Sequence, residues 1–275
     1  MRASTSRNNL TDTKNSKFAN GAVLRVIGAA VFWVVVWYIA ALMTDNPVLM
    51  PSPFDTASAL VKICTEEVFV RSVLLTLMRV LTGFICGAVL GCVCGFSSYF
   101  SRTVRTILSP LLGTVRATPV ASFILLAFVW FAAGVIPTVI SALMVFPVVY
   151  DQVLAALDRA DKSLFEVTAV FGWSFGRRMR QFYFPSVRGP LSASLITGFG
   201  LSWKAGVAAE VLCTPAFSIG RNLYQSKLYL ETSELFAWTA VVVLLSILLE
   251  KTLIRRVAEL AGGKHHKKVR RKISS

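Results

Sequence analysis

The sequence predicts an all-α polytopic membrane protein, and three observations support that fold class. Of its 275 residues, 55% are apolar and only 16% are charged. The mean hydropathy is positive, at +0.64. Several long stretches carry no charged side chain, and a membrane-spanning helix needs about 20 mostly apolar residues. A composition of this kind is typical of a chain that crosses the bilayer several times.

These stretches divide into about six transmembrane helices. One charge-free stretch, from Ala117 to Tyr150, is too long for a single helix across about 30 Å of hydrocarbon. Gly134 and Pro137 interrupt it, so we interpret it as a tight hairpin of two helices. The predicted spans lie at 24–44, 73–98, 108–132, 135–156, 189–212 and 235–255. The chain then consists of a disordered basic tail at 1–23, a transmembrane domain at 24–255 and a basic tail at 256–275.

Basic side chains set the predicted orientation of the spans, because loops rich in lysine and arginine are retained in the cytoplasm. Both tails and the connections on one side of the predicted bundle carry most of the cations. Both termini and the polar segment from Asp151 to Arg188 are therefore predicted to be cytoplasmic. Acidic residues offset the few cations in the connections on the opposite side. These connections hold only four cations: Lys62, Arg71, Arg221 and Lys227.

The net charge of +15 follows from this topology and from attraction to anionic membrane lipid. In a soluble protein it would suggest a nucleic-acid partner, but no aromatic residues interleave with the cations of the C-terminal tail. No nucleic-acid binding is predicted. The run from Lys264 to Lys272 is interpreted as a solvated retention signal, and a specific lipid or regulator stays open as the alternative.

The sequence contains no pattern typical of a catalytic or metal site. It has no Gly-x-x-x-x-Gly-Lys-Ser/Thr loop for nucleotide phosphates, and its two histidines, His265 and His266, lie in the basic tail. Cys92 and Cys94 are spaced so that they point to different faces of a helix, which disfavours a metal pair. We therefore expect no catalytic residues, no metal and no cofactor in this chain. It is not predicted to be an enzyme.

The polar segment is the place where function is most readable. A short apolar helix is expected to begin at a capping box formed by Ser163 and Glu166. Gly172 can adopt a positive φ to end it, and a second, basic helix follows. The segment is too rich in aromatic residues for a solvated loop, which predicts a partner surface. These aromatic residues are Phe165, Phe171, Trp173 and Phe175.

The spacing of this segment resembles a known family. Glu166, Gly172 and the run from Phe182 to Pro185 match the EAA loop of ATP-binding-cassette importer permeases. Val167 and Thr168 stand where that loop has its two alanines. Three further segments resemble the branch that carries nitrate, sulfonate and taurine permeases. They are Leu49-Met50-Pro51-Ser52-Pro53, the run from Thr76 to Phe84, and Ala208-Ala209-Glu210.

The resemblance implies a type I importer permease bundle in the bacterial inner membrane. Its coupling loop, at about 158–188 here, would dock on a separate ATPase subunit that binds ATP. A solute-binding protein outside the membrane would meet the loops at 45–72 and 213–234, and a second permease copy or a homologue would complete the pore. The alternative for the loop is a basic hairpin held at the membrane surface by lipid. The ATPase-docking residues so implied are Glu166, Gly172, Trp173, Arg177, Arg178, Phe182 and Pro185.

Ionisable residues at membrane depth are the second candidate site, because each is costly unless it faces water or a partner. Trp203, Lys204, Glu210 and Arg116 are predicted to line the translocation path, where Lys204 would suit an anionic substrate. Snorkelling or an ion pair with another span is the alternative. Arg79 is interpreted as an anchor near a helix end.

Function is thus predicted as ATP-driven uptake of a small solute by alternating access. The solute is predicted to be nitrate-, sulfonate- or taurine-like, or a related small molecule. A secondary transporter that needs no ATPase, or a membrane protein that does not transport, remains the alternative. The sequence does not identify the solute.

Overall fold

The computed structural model describes residues 25, 27–160 and 173–261, with side chains up to Arg255. These residues are helical almost throughout and contain no β-strand. In chain order the helices are α1 (Ile27–Thr44), α2 (Pro53–Thr65), α3 (Glu67–Phe100), α4 (Arg102–Ala117), α5 (Val120–Ala127), α6 (Ile136–Asp158), α7 (Phe175–Arg178), α8 (Phe184–Cys213), α9 (Ile219–Leu228) and α10 (Thr232–Ala261). A π-helical turn, Met179–Tyr183, joins α7 to α8.

Four of these helices are long and apolar enough to cross a membrane: α1, α3, α6 and α10. They coincide with predicted spans, and the prediction of an all-α polytopic fold is confirmed. Their large apolar side chains point outward in numbers that a water-soluble protein would not expose. On α3, for example, Ile85, Val89 and Val93 recur every four residues and form one outward face.

The predicted span at 108–132 is not one helix, which is a correction. It corresponds to α4 and α5, whose axes bend by 105° across Thr118 and Pro119. Thr118 is extended, with φ −86° and ψ 132°, because the ring of the following proline disfavours helical backbone there. Pro119 also lacks the N–H that a continuous helix would need. The pair therefore forms a broken span or a re-entrant loop.

Helix α8 covers the predicted span at 189–212 but differs in composition from the apolar four. Its 30 residues extend about 45 Å, long enough to span a bilayer. It is rich in glycine and serine, and it packs against α3, α6, α9 and α10. A helix surrounded by protein does not need the apolar surface that lipid demands. This explains why α8 falls outside the four apolar helices.

The central seam of the fold lies between α3 and α6. Four glycines on α3 turn toward α6, at positions where a Cβ atom would overlap its neighbours. At Gly91 an added Cβ would lie 2.8 Å from Val149 Cβ, and at Gly87 it would overlap the backbone of Ala142. The small-residue stripe thus packs inside one chain and brings the two helix backbones close together. Its members are Gly83, Gly87, Gly91 and Gly95.

Helices α2 and α9 lie at the end of the bundle where α3 begins. Ser52 caps α2 by accepting from the Asp55 N–H, and the Asp55 carboxylate accepts from the Ser52 N–H in return. Ser218 caps α9 by accepting from the Arg221 N–H. Both short helices pack on α10 and help to bury Trp203 and Trp238. They therefore close one end of the core.

Candidate coupling and translocation sites

One end of the bundle is held together by aromatic rings. The Phe100 ring centroid lies 5.3 Å from that of Tyr183 and 5.8 Å from that of Phe175. Tyr99 also meets Tyr183, at 5.7 Å, in an edge-to-face arrangement. Such pairs stabilise by about 0.5–1.5 kcal/mol beyond the area that they bury. We call these four residues the aromatic end: Tyr99, Phe100, Phe175 and Tyr183.

The predicted docking segment leads directly into the aromatic end. Glu166 and Gly172 lie outside the described residues. Arg178 Nε donates to the Trp173 carbonyl at 3.0 Å, and the Arg177 guanidinium lies 5.0 Å from the centre of the Trp173 ring. The two arginines therefore fix the conformation of the segment just before α7, while Arg177 itself stays exposed.

The remaining docking residues follow on the π turn and the start of α8. Phe182 is half-buried against the core, and Pro185 is exposed. The π turn adds one residue to a helical turn and ends at Tyr183, which is only 3% exposed. Tyr183 is thereby directed into the core beside α3, and Phe184, the next residue, is directed outward with 61% exposure.

Beyond its exposed first turns, helix α8 carries one exposed face. Ala193, Thr197, Leu201, Lys204 and Ala208 are exposed and recur every three or four residues. They therefore form a single stripe along the helix. Lys204 makes no hydrogen bond or ion pair with any residue that the structure describes. An unpaired ammonium on a spanning helix needs water or a partner group.

The four residues predicted to line the translocation path differ in exposure. Lys204 and Arg116 are exposed, whereas Trp203 is 1% exposed and Glu210 is 0% exposed. Trp203 packs against α2, α3 and α10. Lys204 is the next residue and points about 100° away around the helix, so it stays exposed. Only Lys204 and Arg116 thus remain candidates for contact with a solute.

Glu210 has its partners on α3 and α9. Its carboxylate accepts from Thr76 Oγ1 at 2.8 Å, from Arg79 Nη1 at 3.0 Å and from the Gly220 N–H at 3.3 Å. Arg79, interpreted from the sequence as an anchor, is instead half of this buried ion pair. A buried charge is tolerated when it is paired and fully hydrogen-bonded, as Glu210 is. We call Thr76, Arg79, Glu210 and Gly220 the clamp.

Arg116 is also paired, at the end of α4. Its Nη2 lies 2.6 Å from Asp151 Oδ1 on α6. About two turns further along α6, Asp158 Oδ2 lies 3.1 Å from Arg105 Nη2. All four side chains are roughly half exposed. In α4 only Leu112 and Val115 are buried. Leu112 also packs against Tyr150 and Leu154 of α6, so α4 is held to α6 by one small apolar cluster and by exposed ion pairs.

Comparison with known proteins decides the family. A family model described as the binding-protein-dependent transport system inner membrane component matches residues 87–259, which is more than half of the chain. The chain belongs to this family. It is accordingly a permease subunit of an ABC transporter and a multi-pass protein of the inner membrane.

Individual relatives agree with this assignment. The permease is 25% identical over 245 residues to the taurine transport system permease protein TauC of Escherichia coli (strain K12), covering 85% of this chain and 88% of that one. It is 21% identical over 206 residues to the putative aliphatic sulfonates transport permease protein SsuC of Bacillus subtilis (strain 168), covering 74% of each. The crystal structure of an amino acid ABC transporter with histidines matches with a TM-score of 0.56 and 15% identity, over 70% of this chain and 92% of that one. The last likeness shows the fold alone.

Sequence reasoning missed the clamp and the Asp151 partner of Arg116 in this permease. The signal for the clamp was present, since Arg79 is the single charge of its predicted span and Glu210 is the single acidic residue of another. Two such charges favour pairing with one another. The two residues are 131 positions apart in the sequence, so their pairing was not visible from it.

The end of the permease that holds α2 and α9 also contains an open cleft of about 740 Å³. Lys62 Nζ lies 2.9 Å from Glu234 Oε1 on its wall. The hydrogen bond to Glu234 and the charge of that carboxylate raise the pKa of Lys62 and so favour its protonated form. Asp55 and Glu231 add further carboxylates. The cleft is therefore polar and accessible.

Proposed function

We propose that this permease moves a small solute inward across the bacterial inner membrane by alternating access, coupled to ATP hydrolysis in separate ATPase subunits. The observation that carries the proposal is the junction between the basic segment at 173–185 and the end of α3. In a family of binding-protein-dependent permeases, that junction links an exposed docking surface to a membrane helix.

The junction is suited to transmit motion. Arg177 and Phe184 are exposed and available to a partner, while Tyr183 between them is buried against Tyr99 and Phe100. A displacement of the docking surface therefore acts on the end of α3. The seam of glycines then carries it to α6, because close-packed helices move together.

The opposite end supports contact with a solute-binding protein. The polar cleft and the short helices α2 and α9 give that end a surface of ordered, charged side chains. Arg79 lies about 30 Å along α3 from Phe100, about the thickness of the hydrocarbon core. Most lysines and arginines lie in the two tails and in the connections on the side of the aromatic end. This distribution favours cytoplasmic termini and a cytoplasmic aromatic end.

The exposed stripe of α8 supports a translocation path at the interface with a second permease copy or a homologue. Lys204 lies on that stripe without a carboxylate partner among the described residues. A cation in this position favours a solute with an anionic group. The names of the relatives TauC and SsuC support a sulfonate or taurine-like solute.

Reconstitution tests the proposal directly. The permease is purified with the ATPase that co-purifies with it and placed in proteoliposomes, with the binding protein outside and ATP inside. We expect accumulation of radiolabelled taurine or methanesulfonate only when all three components and ATP are present. Uptake without any ATPase, driven by an ion gradient, would show a secondary transporter instead. Failure of any ATPase to co-purify would argue against coupling.

A further inference from the structure

The turn that joins α8 to α9 is held in an unusual conformation. Thr214 has φ 44° and Phe217 has φ 49°, both in the left-handed region that residues with a Cβ rarely adopt. Such backbone persists only where the surrounding structure holds it. The turn therefore needs support from outside itself.

Helix α3 supplies that support through two arginines. Arg79 Nη2 donates to the Ala216 carbonyl at 3.0 Å, and its Nη1 donates to the Phe217 carbonyl at 3.3 Å. The Arg71 guanidinium lies 3.6 Å from the centre of the Phe217 ring, in cation–π geometry. One guanidinium thus binds the Glu210 carboxylate and two turn carbonyls at once, which a lysine ammonium with its single nitrogen cannot reproduce.

Helix α9 is attached to the same group of residues. Thr76 Oγ1 donates to Glu210 and accepts from the Ile219 N–H at 3.1 Å. A Cβ atom at Gly220 would overlap Glu210, so the first turn of α9 rests directly on that side chain. Asn222 Nδ2 donates to Ser72 Oγ at 3.1 Å and extends the attachment by another turn.

We infer that the clamp makes three elements move as one rigid body during transport: the first part of α3, the end of α8, and α9. Arg79 and Glu210 are then positioning residues for the response to the binding protein. A displacement of α9 by the binding protein would then move α3 and α8 as well. This inference rests on the proposed function for its transport readout.

A rigid clamp places the motion elsewhere in the bundle. Helix α4 buries only Leu112 and Val115, meets α6 through one small apolar cluster and half-exposed ion pairs, and bends by 105° into α5. Exposed ion pairs are weak and are readily exchanged for water. Opening of the path is therefore assigned to α4 and α5 moving against α6, while the clamp stays closed.

The first experiment uses variants of the clamp in the purified permease–ATPase complex. Glu210→Gln leaves the largely covered Arg79 guanidinium without a counter-charge, and it should lower the apparent melting temperature by roughly 5–10 °C. The double variant Arg79→Gln with Glu210→Gln removes both charges and should recover part of that loss. Exposed Lys62→Gln with Glu234→Gln is the matched control and should shift melting by about 1 °C or less.

Arg79→Lys separates positioning from stability. It keeps the charge beside Glu210 but loses the guanidinium contacts to Ala216 and Phe217. We expect a smaller loss of melting temperature than for Glu210→Gln and normal basal ATP hydrolysis, with stimulation by the binding protein reduced about tenfold. Stimulation equal to that of the unmodified complex would overturn the positioning role. A strictly additive effect of the two charge-removing substitutions on melting would overturn the clamp itself.

The second experiment is cross-linking, in a background without the natural cysteines. Ser72→Cys with Asn222→Cys, joined by a short bis(methanethiosulfonate) reagent, should leave ATP-driven uptake within about twofold of the uncross-linked protein. Arg105→Cys with Asp158→Cys, which joins α4 to α6 in the same way, should stop it. The reverse pattern would overturn the inference. If the unmodified complex shows no ATP-driven uptake, the proposed function fails, while the melting measurements still decide whether the clamp exists.

Discussion

The two ends of α3 are joined to α8 by different chemistry. Near its start, Arg79 meets Glu210 in a buried, charged and hydrogen-bonded contact with donors and acceptors at fixed positions. At its end, Tyr99 and Phe100 meet Tyr183 through ring edges and faces. Both contacts join the same two segments of chain, about 30 Å apart.

The difference teaches where the molecule can adjust. A buried ion pair loses most of its favourable energy when one partner moves, because the desolvated charge is then left without compensation. Aromatic edges have no such directional requirement, and rings remain attractive over centroid distances of about 4.5–7 Å. The clamp therefore fixes one geometry, while the aromatic end can tilt and still hold.

Gly87→Val tests the seam that joins the two ends, and we expect the largest effect there. The added side chain would overlap the backbone of Ala142, which cannot move aside as a flexible side chain would. The cost is about 3 kcal/mol or more, enough to prevent assembly of a stable complex. Gly113→Val is the control, since nothing lies within 4 Å of a Cβ at that position. Equal yields of monodisperse complex for both variants would contradict the seam.

Tyr183→Leu tests the aromatic end. It removes the ring contacts to Tyr99 and Phe100 and should destabilise the permease by about 2 kcal/mol. Phe184→Leu, at an exposed neighbouring position, should change melting little. Thermal unfolding in detergent, followed by fluorescence, measures both. A larger loss for Phe184→Leu would mean that the core contact is misassigned.

Lys204→Met tests the region between the two ends. We expect the concentration of methanesulfonate at half-maximal uptake to rise about tenfold, because an anionic group loses its cation in the path. ATP hydrolysis without the binding protein should be unaffected, since Lys204 contacts neither end. Kinetics of uptake in proteoliposomes provide the measurement. An unchanged half-maximal concentration of methanesulfonate would remove Lys204 from the path.

Arg177→Ala sharpens the assignment of the aromatic end, with the smallest effect of the series. Its exposed guanidinium packs over Trp173 and is predicted to contact the ATPase. Loss of one such contact should raise the ATPase concentration for half-maximal binding about fivefold. Titration by fluorescence anisotropy measures the change. Normal affinity would point to lipid rather than the ATPase as the surface that this arginine meets.

Hydropathy was enough to predict α1, α3, α6 and α10, because helices that face lipid must be apolar along their length. It failed at Thr118 and Pro119, where charge-free residues continue across a sharp bend. Hydropathy also did not show which face of α8 points outward. Trp203 and Lys204 are adjacent, and only the packing of neighbouring helices decides which one is buried.

Side-chain partners were the least predictable part. Arg79 and Glu210 were each recognised as costly charges, but the fold alone brings them together across 131 residues. The spacing of the docking segment was readable because it is local. The structure adds that its described part is continuous with Tyr183 and the end of α3.

Site-specific cross-linking in the assembled transporter tests most directly the claim that the two ends serve different partners. A photoreactive phenylalanine is placed at Arg177 in one variant and at Lys62 in another, and the adducts are identified by mass spectrometry. We predict that position 177 labels the ATPase and that position 62 labels the solute-binding protein. Labelling of the binding protein from position 177, or of the ATPase from position 62, would contradict this claim.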